Sequence, residues 1–138
     1  MKKLLFRADG NATIGAGHIM RCLSVGEAAR ELGLECVYVT ADASFEKLIQ
    51  DRGFSCVVMN TLYSDMDREW PALDPVLTRV GPDAVFIDSY YVTPDYLKRL
   101  GAYGKTIYLD DVLAFAYPAD VLINYNIYAD REDYESLY

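Results

Sequence analysis

The chain has 138 residues, close to one domain at about 150 residues per domain. Hydrophobic residues make up 52% and charged residues 25%, which excludes a disordered chain. The net charge of −8 argues against general nucleic-acid binding, so any anion must be met by local groups.

Short apolar runs alternate with helical patterns. Residues 4–7 predict a strand, followed by a loop over 8–17. Cys22, Val25, Ala29 and Leu32 then recur at helical spacing, and Gly33 stops that helix. A second strand is predicted at 36–40, a short helix at 45–52 ending at Gly53, and a third strand at 56–59. Residues 60–71 read as a polar loop with a turn at Trp70-Pro71, and 72–80 as weakly helical up to Gly81-Pro82. The fully apolar run 84–87 is a fourth strand ending at Asp88. Thr93-Pro94-Asp95 is a helix start, with a hydroxyl cap, proline in the first turn and an acid beside it. That helix reaches about Tyr103, strands follow at 106–109 and 121–123, and the tyrosine-rich, acidic stretch 125–138 shows no period.

Apolar strands alternating with helices predict an α/β fold, a Rossmann-like doubly wound parallel sheet covered on both faces. The three cysteines, Cys22, Cys36 and Cys56, form no C-x-x-C pair and fall in apolar segments. Buried thiols in a reducing compartment are the simplest reading. No run approaches a membrane span, and Leu4, Leu5 and Phe6 are too few for a signal-peptide core. A soluble cytoplasmic protein without nucleic-acid or membrane partners is the expectation. The twelve tyrosines read as packing and surface cover more readily than as a binding platform.

Ligands of doubly wound sheets sit outside the strands' C-terminal ends, so the first loop is the first place to look. Gly10 and Gly15 match the spacing of the phosphate-cradling G-x-x-x-x-G-K-[ST]. Ala16 and Gly17 then replace its lysine and hydroxyl. Gly15 and Gly17 open a G-x-G-x-x-G that fails at Met20, which would obstruct close helix–strand approach. An ATPase and an NAD enzyme are both disfavoured. What remains is a glycine-flanked turn delivering a helix N-terminus with His18 in its first turn. Free N–H groups there favour an anion or a developing negative charge, and the positive dipole end favours neutral imidazole, the form a general base needs. A helix-terminal histidine bonded to a nearby carbonyl is the plain alternative. His18 shares a row with Cys22, one turn beyond the core, and should lean into the crevice.

The stretch R-A-D-G-N-A-T-I-G-A-G-H-I-M-R-C-L over 7–23 resembles the opening of the PseG family, UDP-sugar hydrolases of pseudaminic acid biosynthesis. The related spore-coat polysaccharide proteins of the SpsG type begin similarly. Ile87-Asp88-Ser89-Tyr90, Leu109-Asp110-Asp111 and the segment 120–129 support the likeness, which covers essentially the whole chain. It implies a GT-B fold like MurG, with residues 1–124 as the N-terminal domain. Residues 125–138 would start the connection to a C-terminal nucleotide-binding domain, and this piece alone would be inactive.

The implied chemistry is metal-independent and cofactor-free. Water attacks C1 of UDP-2,4-diacetamido-2,4,6-trideoxy-β-L-altropyranose, and UDP leaves. His18 matches the family's proposed catalytic base. The resemblance places Asp9, Gly15, Gly17, Arg21, Asp88 and Tyr90 as substrate-binding positions. Asp9 and the two glycines would shape the turn, and Arg21 would steady a phosphate or Asp9, unless it is only a surface salt bridge. Asp88 and Tyr90 would reach sugar hydroxyls or acetamido groups, unless Asp88 merely caps the next turn. Asn124 and Asn126 would tie down the connection between domains. Ser89 stands where several members have histidine and Tyr91 where they have glycine, which points to a different sugar. A glycosyltransferase of the same fold and a non-catalytic sugar-binding domain are the competing readings.

Overall fold

A computed structural model describes residues 2–109 and 118–123. The elements follow in the order β1 (Lys3–Ala8), α1 (Gly17–Glu31), β2 (Glu35–Thr40), α2 (Glu46–Asp51) and β3 (Ser55–Val58). A 3₁₀ turn (Met66–Glu69) then leads into α3 (Trp70–Val80), β4 (Ala84–Asp88), α4 (Pro94–Leu100), β5 (Lys105–Leu109) and β6 (Val121–Ile123). The described strands form one sheet in the order β3-β2-β1-β4-β5-β6, with every pairing parallel. This is the Rossmann-like order, and strand order reverses between β1 and β4. The predicted doubly wound α/β architecture is therefore present. Asp110, Asp111, Asn124, Asn126 and the boundary at 124/125 lie outside the described residues.

Strand alternation sorts the side chains into two layers. Leu4, Phe6 and Ala8 of β1 face α1 and α2, packing with Ile19, Cys22, Leu23 and Ile49. Leu5 faces the other way, with Val85 and Ile87, onto Trp70, Leu73 and Leu77 of α3 and Tyr96, Leu97 and Leu100 of α4. Both faces of the sheet are thus covered, which is why its strands read as nearly continuous apolar runs.

Several predicted details shift. Helix α1 buries Ile19, Cys22, Leu23, Gly26 and Ala29, whereas Val25 is exposed and Leu32, 83% exposed, lies past the helix end. The buried face is rotated because Gly26 admits the ring of Tyr38. A Cβ there would fall 1.9 Å from the Tyr38 hydroxyl, which donates to the Cys22 carbonyl at 2.7 Å. Trp70-Pro71 is no turn but the first turn of α3, where proline costs no intrahelical bond. Helix α4 stops at Leu100, three residues short of the expectation at Tyr103, and its start is as predicted: Thr93 Oγ1 accepts from the Tyr96 N–H at 3.2 Å. Cys22 and Cys36 are buried free thiols, but Cys56, on edge strand β3, is only partly buried.

Candidate functional site

The loop after β1 closes on itself by side-chain and backbone bonds. Asn11 Oδ1 accepts from the N–H groups of Thr13 (2.8 Å) and Ile14 (3.0 Å), and the Asn11 and Gly15 backbones bond each other in both directions. Gly15 sits at φ +77°, in the left-handed region where a side chain is strained. Gly10 is needed for another reason. A Cβ there would come 2.8 Å from the Phe45 ring and 2.9 Å from Ile19. Gly17 meets no such constraint, since a Cβ would approach only Arg21, at 3.4 Å. The turn delivers α1 with Ala16 at its N-cap, no side-chain cap and no acid in the first turn.

His18 therefore enters at the first turn of α1, beside the C-terminal ends of β1 and β4. Asp88, the last residue of β4, stands across from Ala8 in the sheet register. Its Oδ1 makes a short bond with His18 Nδ1. Arg21, one turn along α1, donates from Nε to Asp88 Oδ2 at 3.2 Å and from Nη2 to Oδ1 at 3.3 Å. Arg21 Nη2 also lies 3.0 Å from His18 Nδ1. A guanidinium can only donate and an ionised carboxylate can only accept. The consistent assignment has Nδ1–H donating to Asp88 and Arg21 bonding the carboxylate. His18 Nε2 has no hydrogen-bond partner among the described residues. An imidazole held in this way presents Nε2 as a proton acceptor.

The ring is 6% exposed, with Tyr90 packed edge-on at a centroid distance of 4.6 Å. It is thus more covered than the sequence suggests, yet it remains at the sheet rim. Arg21 binds Asp88 and not Asp9, and Asp88 engages His18 and Arg21, while the turn after β4 is bonded instead by Ser89 Oγ accepting from the Tyr91 N–H.

A second polar group lies beneath. Arg7 is fully buried on the α3/α4 side of β1. Its Nε and Nη2 donate to the two oxygens of Glu69, each at 2.7 Å, and Tyr96 Oη donates to Glu69 Oε2 at 2.6 Å. Burial by itself would lower the Arg7 pKa, but the bidentate bond to Glu69 and the charge of Asp9 outweigh it and raise it. Burial pushes the Tyr96 hydroxyl well above its ordinary range.

Asp9, 3% exposed, accepts from the Ala41 N–H through Oδ1 at 2.7 Å. Its Oδ2 lies 2.9 Å from Arg7 Nη1. That nitrogen's hydrogen bond goes to the Ala8 carbonyl at 3.2 Å, and Oδ2 accepts none. Arg7 and Asp9 thus form a buried ion pair.

Asp9, Ile14, His18, Tyr63, Asp88, Ser89, Tyr90 and Tyr91 line one narrow crevice of about 10 Å³. The structure thus brings together Asp9, His18, Asp88 and Tyr90, with Arg21 bonded behind. Gly15 and Gly17 serve the turn. Two carboxylates in the crevice work against an anion there, despite the helix N-terminus. Tyr63, which packs edge-on against Tyr91, had no sequence signal, as it stands in a polar loop. Arg7 had one: a charge inside an apolar strand needs a buried partner.

Fold and crevice define an α/β protein of Rossmann-like strand order with a polar site at its switch point. Compared with protein-family models and with curated proteins, the chain matches none. Among the described residues, no three His, Cys, Asp or Glu side chains group to hold a metal ion, and no helix is long and apolar enough to cross a membrane.

Proposed function

We propose that the chain is the N-terminal half of a GT-B-type, metal-independent nucleotide-sugar hydrolase. It would release UDP and a free acetamido sugar in surface polysaccharide biosynthesis. The observation that carries this reading is the Asp88–His18 pair at the switch-point crevice. It coincides with the residues on which the resemblance to the PseG family rests. Water attacks the anomeric carbon, the C1–O bond to the diphosphate breaks, and UDP takes the electron pair. His18 Nε2 receives the water's proton. Asp88 holds the ring and balances the imidazolium as it forms, and Arg21 holds Asp88 in place. In this reading the UDP moiety is held by a further nucleotide-binding domain, since the described residues of the crevice include two carboxylates, which work against an anion.

The test is to incubate the full-length protein without an acceptor, with UDP-2,4-diacetamido-2,4,6-trideoxy-β-L-altropyranose and with UDP-N-acetylglucosamine. Free sugar and UDP are expected from at least one donor. Intact donors that turn over only when a sugar acceptor is added would make the protein a transferase instead.

A further inference from the structure

We infer that Tyr63 and Tyr91 form a gate: their ring contact closes the crevice over His18, and their parting lets the donor's anomeric carbon reach it. What enters rests on the hydrolase reading; the closure follows from the packing.

His18 is buried, and the crevice that it lines holds about 10 Å³, roughly the room of one water. No sugar ring enters that space. A base that works beside the anomeric carbon has to be uncovered first, so part of the wall must move.

The lining residues differ in how they are held. Asp9 is ion-paired with Arg7, and Asp88 is bonded to His18 and Arg21. Ser89 is buried, and its carbonyl accepts from Tyr108 Oη at 3.0 Å. Ile14 is held through its N–H by Asn11 Oδ1. Tyr91 is 39% exposed, between the buried residues Ser89 and Val92. An exposed side chain changes rotamer within nanoseconds and needs no backbone motion to do so. Its ring meets Tyr63 edge-on, at a centroid distance of 5.5 Å and 74° between planes.

Tyr63 reaches this contact from the other side of the sheet. The chain leaving β3 passes the end of β2, where the Thr61 N–H donates to the Ala41 carbonyl at 3.0 Å. β2 and β1 lie between β3 and β4, so a contact with Tyr91, past the end of β4, spans the switch point where His18 sits. A single aromatic pair is weak enough to part thermally, and its loss shifts such an equilibrium by about 2- to 10-fold.

His18 is the only histidine of the chain, and its reaction with diethyl pyrocarbonate reads the opening without any substrate. The reagent acylates the neutral imidazole nitrogen and is too large for the closed crevice. Full-length protein is treated, digested, and the His18 peptide followed by mass spectrometry, with thermal melts to confirm folding. Wild type is expected to react far more slowly than the urea-unfolded chain. Tyr63→Ala and Tyr91→Ala should each raise the rate about 2- to 10-fold, the worth of one ring pair. The double variant should go no further than the faster single, because both remove the same contact. Tyr63→Phe keeps the ring and should match wild type. Should Tyr63→Ala fail to fold, Tyr91→Ala, at the exposed position, decides. With a UDP-sugar donor that is hydrolysed, opening the gate should lower KM by the factor seen in labelling, since apparent affinity follows the competent fraction.

Wild-type His18 that reacts as fast as in the unfolded chain would overturn the gate. So would variants labelled no faster than wild type, gains that multiply in the double variant, or a KM that stays put while labelling quickens. If neither donor is hydrolysed, the hydrolase reading falls, and the labelling rates still decide whether the rings close the crevice.

Discussion

Asp88 and His18 stand 70 residues apart in the chain and are joined by a hydrogen bond at the seam where strand order reverses. The seam explains the meeting. β1 and β4 are neighbours only because the chain crosses from one sheet face to the other, and α1 begins above the gap between them. From sequence, His18 answers to one field, the helix dipole. In the fold it answers to a carboxylate and a guanidinium as well, and the carboxylate selects which ring nitrogen carries the hydrogen.

This relationship sets the first prediction. Under the proposed function, His18→Asn removes the base and is expected to lower kcat by roughly 10²–10⁴-fold, the usual worth of a general base. Asp88→Asn should fall in the same range while His18 remains present. It removes the balancing charge and frees the ring to take the other tautomer. Steady-state rates, with thermal melts to confirm folding, check both. Wild-type kcat in Asp88→Asn would show that Asp88 serves the fold alone.

Much of this arrangement was legible from the residues, and the remainder was not, for identifiable reasons. The strands could be read because burial on both faces makes them continuous apolar runs. Gly33, Gly53 and Gly81 marked helix ends because each takes positive φ. The buried face of α1 is not legible because glycine carries no hydrophobic signal, yet at Gly26 the Tyr38 side chain packs where a Cβ would stand. The 60–71 loop hid both Tyr63 and Glu69. Their roles depend on the fold placing Glu69 against Arg7 of β1 and Tyr63 against Tyr91 at the crevice, with nothing local to show it.

Glu69→Ala is the sharpest stability test of that buried group. It strands Arg7, fully enclosed, beside Asp9 alone. Removing one partner of a buried pair typically costs about 3–5 kcal/mol. Urea unfolding should show a loss of that size, with a smaller one for Glu69→Gln, whose amide oxygen can still accept from Arg7. A loss under about 1 kcal/mol, the range of an exposed pair, would mean that the cluster is open to water.

Alkaline pH should weaken the fold in a specific window. Burial raises the hydroxyls of Tyr96 and Tyr38 far above their ordinary range, and burial followed by the charge of Asp88 raises the Cys22 thiol. Each group is neutral when protonated, so the folded state keeps its proton at pH values where the unfolded chain loses it. The unfolded chain then binds fewer protons, and stability falls as pH rises. The contribution is complete below about pH 8.5 for the thiol and about pH 10 for the phenols, and is lost above those values. Urea midpoints taken across this range should decline. Tyr96→Phe should flatten the slope above about pH 10 by up to about 1.4 kcal/mol per pH unit. An unchanged slope would mean that Tyr96 ionises freely in the folded protein.

The contact between α1 and β2 makes a separable prediction. Gly26→Ala places a Cβ 1.9 Å from the Tyr38 hydroxyl, which is itself tied to the Cys22 carbonyl. Neither backbone can retreat, because α1 and β2 are both fixed on the sheet, so overpacking should cost about 1–3 kcal/mol. Tyr38→Phe removes the clashing oxygen and leaves the ring carbon at 3.1 Å, tight but within reach of a small shift. Alone it should cost about 1 kcal/mol for the lost hydrogen bond. Combined with Gly26→Ala it should relieve most of the strain, so the double variant is more stable than the two single losses added together. A double-mutant cycle by chemical denaturation measures that coupling. Strict additivity would mean that α1 moves off the sheet to admit the methyl, and that the close approach at Gly26 does not set where α1, and with it His18, is held.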